Sequence, residues 1–417
     1  MLRRGKQVQW SDSGMKRLHK RNELDNGLNG GYIYDKQLFI NTTKGIFMLK
    51  RLLLALLVLT FIVSAPCELN AASENNRRSE KQAKKEKNTF ADGDTSGKDR
   101  SWQWTIPENS GFDSQKLKKI DDFIKNNTGT TGLLVAVDGK VLYTYGDIKE
   151  VSYIASCRKS VLSMLYGKYV TNGKINLKMT LKELKINDRN KLLPIEKQAT
   201  IFDLITSRSG IYHPASTAGS SNSIKKMKRG SVKPGTVFIY NNWDFNAAGT
   251  VFEKLTGKSI YSAAQKDIFR HIGMQDFKLS KHRRSGDKKL SVHLAYHFHL
   301  STRDMARLGE LMRCGGKWGN KQVIPEAWVK FSTTPVTKFN AGERSGYSVM
   351  WWNLRDYKYS DEFKGAYTAS GMFGQYITVL PALNMVIAHK SARNGKKPTS
   401  RKDYRKIIHM IIEARQK

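Results

Sequence analysis

The sequence predicts an α+β fold: one antiparallel sheet built from both chain ends, flanked by helices, with a mostly helical subdomain inserted at about residues 156–335. Three observations predict it. Two short apolar runs, 132–137 and 140–145, are joined by Asp138-Gly139, a dipeptide that tolerates the positive φ of a tight hairpin turn. Several short runs rich in β-branched and aromatic residues crowd the C-terminal part, between residues 347 and 389. Between these two regions the apolar spacing turns helical. Strands gathered at both ends, without strand–helix alternation, argue against a parallel sheet.

The folded part is expected to begin near residue 101. The chain has 417 residues, 72 Lys and Arg against 36 Asp and Glu, and a net charge of +36. That balance points to anionic surroundings such as lipid headgroups, cell-envelope polymers or nucleic acid. Three cysteines (Cys67, Cys157, Cys314) and the absence of a Cys-x-x-Cys pair exclude a disulfide-dense scaffold, a zinc finger and an iron–sulfur cluster. No internal repeat suggests a solenoid or propeller. Met48-Leu-Lys-Arg51 precedes an apolar run from Leu52 to Val63. At ~1.5 Å per residue, that run is too short for a ~30 Å hydrocarbon core. Residues 48–72 therefore read as a signal peptide, and the protein as exported, periplasmic or extracellular, or membrane-anchored if the leader is retained. Residues 1–47 are far longer than an ordinary basic n-region, and translation is expected to begin at Met48. Ser64-Ala65-Pro66 is a poor lipidation signal for Cys67. Residues 73–100 are charged and almost without apolar residues, a disordered basic linker.

Within 101–417 the elements follow in order. Trp102 and Trp104 open the domain. Ser114–Lys125 is an amphipathic helix with Leu117, Ile120, Phe123 and Ile124 on one face. The hairpin 132–145 follows. A helix begins at Ser156, and another after the capping box Ser301-Thr-Arg-Asp304, whose Ser side chain bonds the backbone three residues on. Residues 347–352, 366–370, 375–380 and 385–389 read as strands, and 401–415 as a closing helix.

Three short constellations carry chemistry. In Ser-x-x-Lys on a helix, both side chains share one face, and Lys can take the Ser proton if burial or neighbouring positive charge lowers its pKa. The motif occurs at Ser13/Lys16, Ser156/Lys159, Ser223/Lys226 and Ser285/Lys288, but only Ser156 has an apolar lead-in and opens an apolar helix. A helix-capping role for Ser156 is the plain alternative. Tyr240-Asn241-Asn242 lies 84 residues on (240 − 156), after a Pro234-Gly235 turn. A Tyr near Ser and Lys can relay a proton to a leaving group, and Asn242 can hold a substrate carbonyl and the Lys. A buried structural Tyr is the alternative. The third is Ala369-Ser370-Gly371-Met372 at a strand end, where glycine lets a substrate backbone lie along the edge. There the Met372 N–H pairs with that of Ser156 as an oxyanion hole; a glycine-rich hairpin is the alternative.

In order and spacing these motifs resemble the serine β-lactamase-like hydrolases: class C β-lactamases, D-Ala-D-Ala carboxypeptidases, and related esterases and 6-aminohexanoate-dimer hydrolases. The resemblance covers about residues 105–415. It extends to Thr206-Ser-Arg-Ser-Gly-Ile211, Asn242-Trp-Asp-Phe-Asn-Ala-Ala-Gly249 and His299–Gly309. It implies Ser156 as acylated nucleophile, Lys159 as its base and Tyr240 as proton relay, with Asn242, Ser370, Gly371 and Met372 holding substrate. Ala369 departs from the family, whose β-lactamases and carboxypeptidases carry Lys or His there to bind a carboxylate. That loss, about 1.5–3 kcal/mol of charge-assisted bonding, favours a neutral ester or amide. A nearby arginine such as Arg393 is a candidate replacement.

No cofactor or metal is expected. His293, His297 and His299 lie in a loop or strand rather than on one helix, and no carboxylate accompanies them. Cys157 is expected to pack in the core, with a Cys157–Cys314 disulfide left open. Trp351-Trp352 reads as core plus cover, with one ring lining the cleft as the alternative. The basic clusters at 225–229 and 281–284 lack aromatic interleaving, and export argues against nucleic acid as partner. The leading expectation is thus an exported serine hydrolase acting on a small ester, amide or peptide. A penicillin-binding D,D-peptidase or β-lactamase is the runner-up. An inactive module binding an anionic envelope polymer is the alternative from another class.

Overall fold

The computed structural model describes residues 102–392 and 397–416. The extension 1–47, the leader, the linker, Cys67 and Arg393 lie outside the described residues. Nine strands form the central sheet: β1 (Gln103–Trp104), β2 (Thr130–Val137), β3 (Lys140–Gly146), β4 (Thr337–Lys338), β5 (Arg344–Tyr347), β6 (Trp352–Leu354), β7 (Tyr367–Gly371), β8 (Gln375–Leu380) and β9 (Met385–Ser391). Their order is β1-β3-β2-β9-β8-β7-β6-β5-β4. Every pairing is antiparallel except β1 with β3. Strand β2 joins β9, with Val137 opposite Met385, so both chain ends meet at the sheet centre. The β2–β3 hairpin turns at Asp138 (φ 48°) and Gly139 (φ 77°), the geometry this dipeptide favours.

Among the described residues eight α-helices accompany the sheet: α1 (Ser114–Asn127), α2 (Cys157–Thr171), α3 (Ile201–Ile205), α4 (Asn242–Thr256), α5 (Ile260–Ala264), α6 (Thr302–Arg313), α7 (Glu326–Thr333) and α8 (Arg401–Glu413). Helix α1 starts because the Asp113 side chain accepts from the Lys116 N–H. Its Leu117, Ile120 and Ile124 pack with Ile407, Ile408 and Ile411 of α8 over one face of the sheet. On the other face lie α6, with Met305, Leu308 and Leu311, and the buried helix α2. This explains the uninterrupted apolar run of β2. Leu133 and Val135 enter the first core, Leu134 and Ala136 the second, so both faces must be apolar.

Three expectations are corrected or refined. Residues 347–352 are not one strand: β5 ends at Tyr347, β6 starts at Trp352, and Ser348–Trp351 reverses the chain with Met350 at φ 61°. Ser348 stabilises the reversal through its amide and its hydroxyl, which both donate to the Trp351 carbonyl. Within 156–335 the helices α2 to α7 are less continuous than the apolar spacing suggests. Among the described residues between Asn172 and Asn241 the one α-helix is α3, the rest being loops and 3-10 turns. Pro194, Pro214, Pro234 and several glycines break the helical pattern there. Finally, α6 belongs to the sheet layer rather than to the insertion, because its apolar stripe is buried on β2, β8 and β9.

Candidate active site

Ser156 sits where two layers meet. The short antiparallel pair Ser152–Tyr153 and His299–Leu300 delivers the chain to Ile154, whose N–H donates to Phe298 O at 3.1 Å. Ala155 then adopts φ 48°, a left-handed conformation that costs a non-glycine residue on the order of 1 kcal/mol. The turn aims Ser156 at the mouth of α2. Its hydroxyl makes no capping bond; it accepts from Lys159 Nζ at 2.8 Å. The capping role considered from sequence is therefore not what this side chain does.

Lys159 is buried, and its Nζ also donates to the Tyr240 hydroxyl at 2.5 Å. Among the described residues it has no carboxylate partner; the rings of Tyr240 and Phe245 enclose it at 4.4 and 4.7 Å. Burial, and next the neighbouring Arg158, hold its proton affinity well below that of an ordinary lysine. Burial pushes the Tyr240 phenol up to about 12, against the opposing effects of Ser156 and two arginines, so it keeps its proton at neutral pH.

The position of Tyr240 is set by the segment 206–211. Ser207, at φ 57°, brackets it: its carbonyl accepts from Ile239 N at 3.1 Å, and its hydroxyl donates to Ile239 O and accepts from Asn241 N. Asn241 caps α4 and donates to Ile211 O at 2.7 Å. Asp244 accepts from Asn241 and Ser209, and burial raises its carboxyl well above the usual range. The Trp352 ring stacks on Tyr240 from the sheet side, with centroids 5.4 Å apart. Trp351 is buried in the core, so the tandem tryptophans divide between core and site.

Strand β7 brings the third motif against this turn. A Cβ on Gly371 would lie 2.6 Å from Ile154 O and 3.1 Å from the Ala155 Cβ, so glycine is what allows the strand end to touch the segment before Ser156. Registered pairing of β6 with β7 stops at Thr368, which leaves the edge of Ala369–Gly371 open on that side. Met372 opens the reversal to β8, completed by Phe373 (φ 65°) and Gly374 (φ 80°). Met372 and Asn242 meet at Gly219 across the cleft. One N–H of the Asn242 side-chain amide donates to Ala218 O at 2.5 Å, while its Oδ1 is buried without a partner.

Arg344 went unrecognised in the sequence. It lies on β5, its guanidinium 3.5 Å from the Trp352 ring centroid, and its Nη2 donates to Ser370 Oγ at 3.1 Å. Burial, then Arg401, lowers it to about 10, which leaves it charged at neutral pH. Together with Glu343, Arg401, Ser370 and Tyr376 it lines a small cleft whose wall does not include Ser156, Lys159 or Tyr240. Positive charge therefore returns beside the third motif although Ala369 carries none. No local signal marks Arg344 in Gly342-Glu-Arg-Ser-Gly346; only strand register brings it to Ser370.

Other sequence features fall elsewhere. Among the described residues Cys157 and Cys314 form no disulfide, and Cys157 Sγ donates to Gln375 O at 3.3 Å. His297 and His299 flank the Tyr153 ring, whereas His293 bonds Thr250 and the Asn187 carbonyl. Among the described residues no group of three or more His, Cys, Asp or Glu side chains could hold a metal ion.

Known proteins share this architecture. A Bacillus anthracis protein provisionally named a 6-aminohexanoate-dimer hydrolase is similar with a TM-score of 0.56 and 20% identity, over 75% of this chain and 86% of that one. A class C β-lactamase is similar with a TM-score of 0.52 and 18% identity, over 72% and 97%. At these identities the likeness is one of fold. In sequence, an unguisins hydrolase of Aspergillus campestris is 27% identical over 166 residues, 36% of this chain; the matched part is 31% of that relative's length. The family model described as Beta-lactamase matches residues 118–409, from within α1 to within α8, and includes Ser156/Lys159, Tyr240/Asn242 and Ala369–Met372. With its sheet, its helices and most of its length accounted for by that match, the chain belongs to the beta-lactamase family.

Proposed function

We propose that this protein is an exported serine hydrolase that cleaves a small ester or amide through an acyl-enzyme on Ser156. The observation that carries the reading is the placement of one buried lysine nitrogen within 2.8 Å of Ser156 Oγ and 2.5 Å of the Tyr240 hydroxyl. In the proposed cycle Lys159 takes the Ser156 proton as Oγ attacks the substrate carbonyl. The backbone N–H groups of Ser156 and Met372 receive the developing oxyanion. Tyr240, protonated at neutral pH, passes a proton to the leaving oxygen or nitrogen. Water then releases the acyl group. A module that only bound an envelope polymer would gain nothing from burying a lysine between two hydroxyls. Export rests on the leader at 48–72.

Arg344 favours a second reading, in which the substrate carries a carboxylate near Ser370, as a D,D-peptidase or β-lactamase substrate does. Two measurements test the set. Intact mass after exposure to a serine-reactive fluorophosphonate is expected to show a single adduct, mapped to Ser156 and absent from Ser156→Ala. Hydrolysis across an ester and amide panel is expected to fall by more than ~10³ in that variant; a loss under tenfold refutes the proposal. Covalent labelling by a fluorescent penicillin selects the second reading, and its absence in a fluorophosphonate-reactive enzyme selects the first.

A further inference from the structure

We propose that Arg158, a guanidinium buried without a carboxylate on the residue before Lys159, is a positioning residue that keeps Lys159 in its neutral, proton-accepting form. The inference rests on the hydrolase reading above and deepens it. Arg158 is only 3% exposed. Its Nη2 donates to Asn246 Oδ1 at 2.8 Å, its Cζ lies 4.4 Å from the Tyr296 ring centroid, and its Nη1 is buried with no partner. Among the described residues it forms no ion pair, whereas the buried Arg405 and the partly buried Arg313 and Arg303 each meet a carboxylate. A neutral amide and an aromatic face ease the burial of this charge but do not cancel it.

Two consecutive residues of α2 therefore bury cationic side chains in one unneutralised region. A guanidinium does not give up its proton in a protein, and an ammonium does. The unfavourable proximity is relieved by deprotonating Lys159. The surrounding groups leave that logic intact. From α2, the Cys157 thiol is pushed up by burial and stays neutral. Tyr240, Tyr296 of the segment before α6, and Tyr347 of β5 are pushed up by burial and stay neutral as well. On α4, burial raises the Asp244 carboxyl well above its usual range, and its bonds go to Ser209 and Asn241 rather than to Arg158 or Lys159. Beyond these, Arg344 of β5 is again positive, and Arg284, which faces the same Tyr296 ring at 5.9 Å, is paired with Glu253. Burial of Lys159 begins the depression of its proton affinity, and Arg158 is the next contributor.

The test is the pH dependence of Ser156 labelling by a fluorophosphonate in the full chain. The rate should rise with deprotonation of Lys159. Arg158→Gln removes the charge; Asn246→Asp leaves it in place and sets a carboxylate against it. Both are expected to move the midpoint of the rise to higher pH by about one unit or more, with rate lost at neutral pH and recovered at alkaline pH. A merely structural role would lower the plateau without moving the midpoint. Folded variants with the wild-type midpoint overturn the proposal, and if Arg158→Gln does not fold, Asn246→Asp alone decides. Wild-type protein that takes no label at any pH instead refutes the hydrolase reading itself.

Discussion

Substituting Gly371 by alanine adds one methyl group at the place where the sheet touches the turn before Ser156. The added Cβ would lie 2.6 Å from Ile154 O, against about 3.4 Å for ordinary contact, so some 0.8 Å (3.4 − 2.6) of movement is required. The obstacle is backbone on both sides. Ile154 N donates to Phe298 O, Ile154 O accepts from Cys157 N at 3.2 Å, and Gly371 pairs with Gln375 across β8. None of these is a flexible side-chain tip. The strain is expected to cost about 1–3 kcal/mol of stability, typical of overpacking. Because Ala155 and Ser156 follow directly, the displacement reaches the Ser156–Lys159 contact. A misplacement approaching 1 Å costs up to about a hundredfold in rate, so a fall of ~10–100-fold in kcat is expected. The assay pairs fluorophosphonate labelling rate and kcat with urea unfolding, which reports both terms. A folded Gly371→Ala protein that labels at the wild-type rate would refute the claim that this contact positions the nucleophile.

Two further outcomes are expected. His389 is buried, with Nδ1 2.7 Å from Gly374 O and Nε2 2.8 Å from Thr130 Oγ1, and burial lowers it to about 4 from an ordinary 6.5. A depressed folded value means its contribution is present above pH 6.5 and is lost as pH falls through 4. Unfolding free energy at pH 7 minus that at pH 4 should therefore shrink by about 3 kcal/mol in His389→Asn, measured by urea denaturation; an unchanged difference refutes it. Arg344→Gln removes the cation at Ser370. Steady-state kinetics should show kcat/KM for carboxylate-bearing substrates falling about 10–100-fold, with neutral esters changed less than about threefold; equal losses on both would show that Arg344 only supports Trp352.

The α+β class, the hairpin at Asp138-Gly139, helix α1 and strands β7 to β9 were legible because each is written in local chemistry: turn residues, apolar period and caps. The three motifs were legible too, as ordered groups of short segments. The reversal at Ser348–Trp351 was not, because an apolar run reads as strand whether it is straight or bent. Much of 172–241 was not legible for a related reason. Its loops are held by side-chain bonds such as Ser207 to Ile239 and Asn241, which have no periodicity to reveal them.

The sequence by itself determined which reactive groups exist and in what order they follow. Ser156 and Lys159 share a helical face because they are three residues apart, and no tertiary information is needed for that. The tertiary structure alone decided their electrostatics. It buried Arg158 without a carboxylate beside Lys159, turned the Asn242 acceptor inward, and carried Arg344 across strand β6 to Ser370. The physical reason is that the energy of a charge depends on excluded water and on neighbours across the sheet. Residue type and sequence separation encode neither.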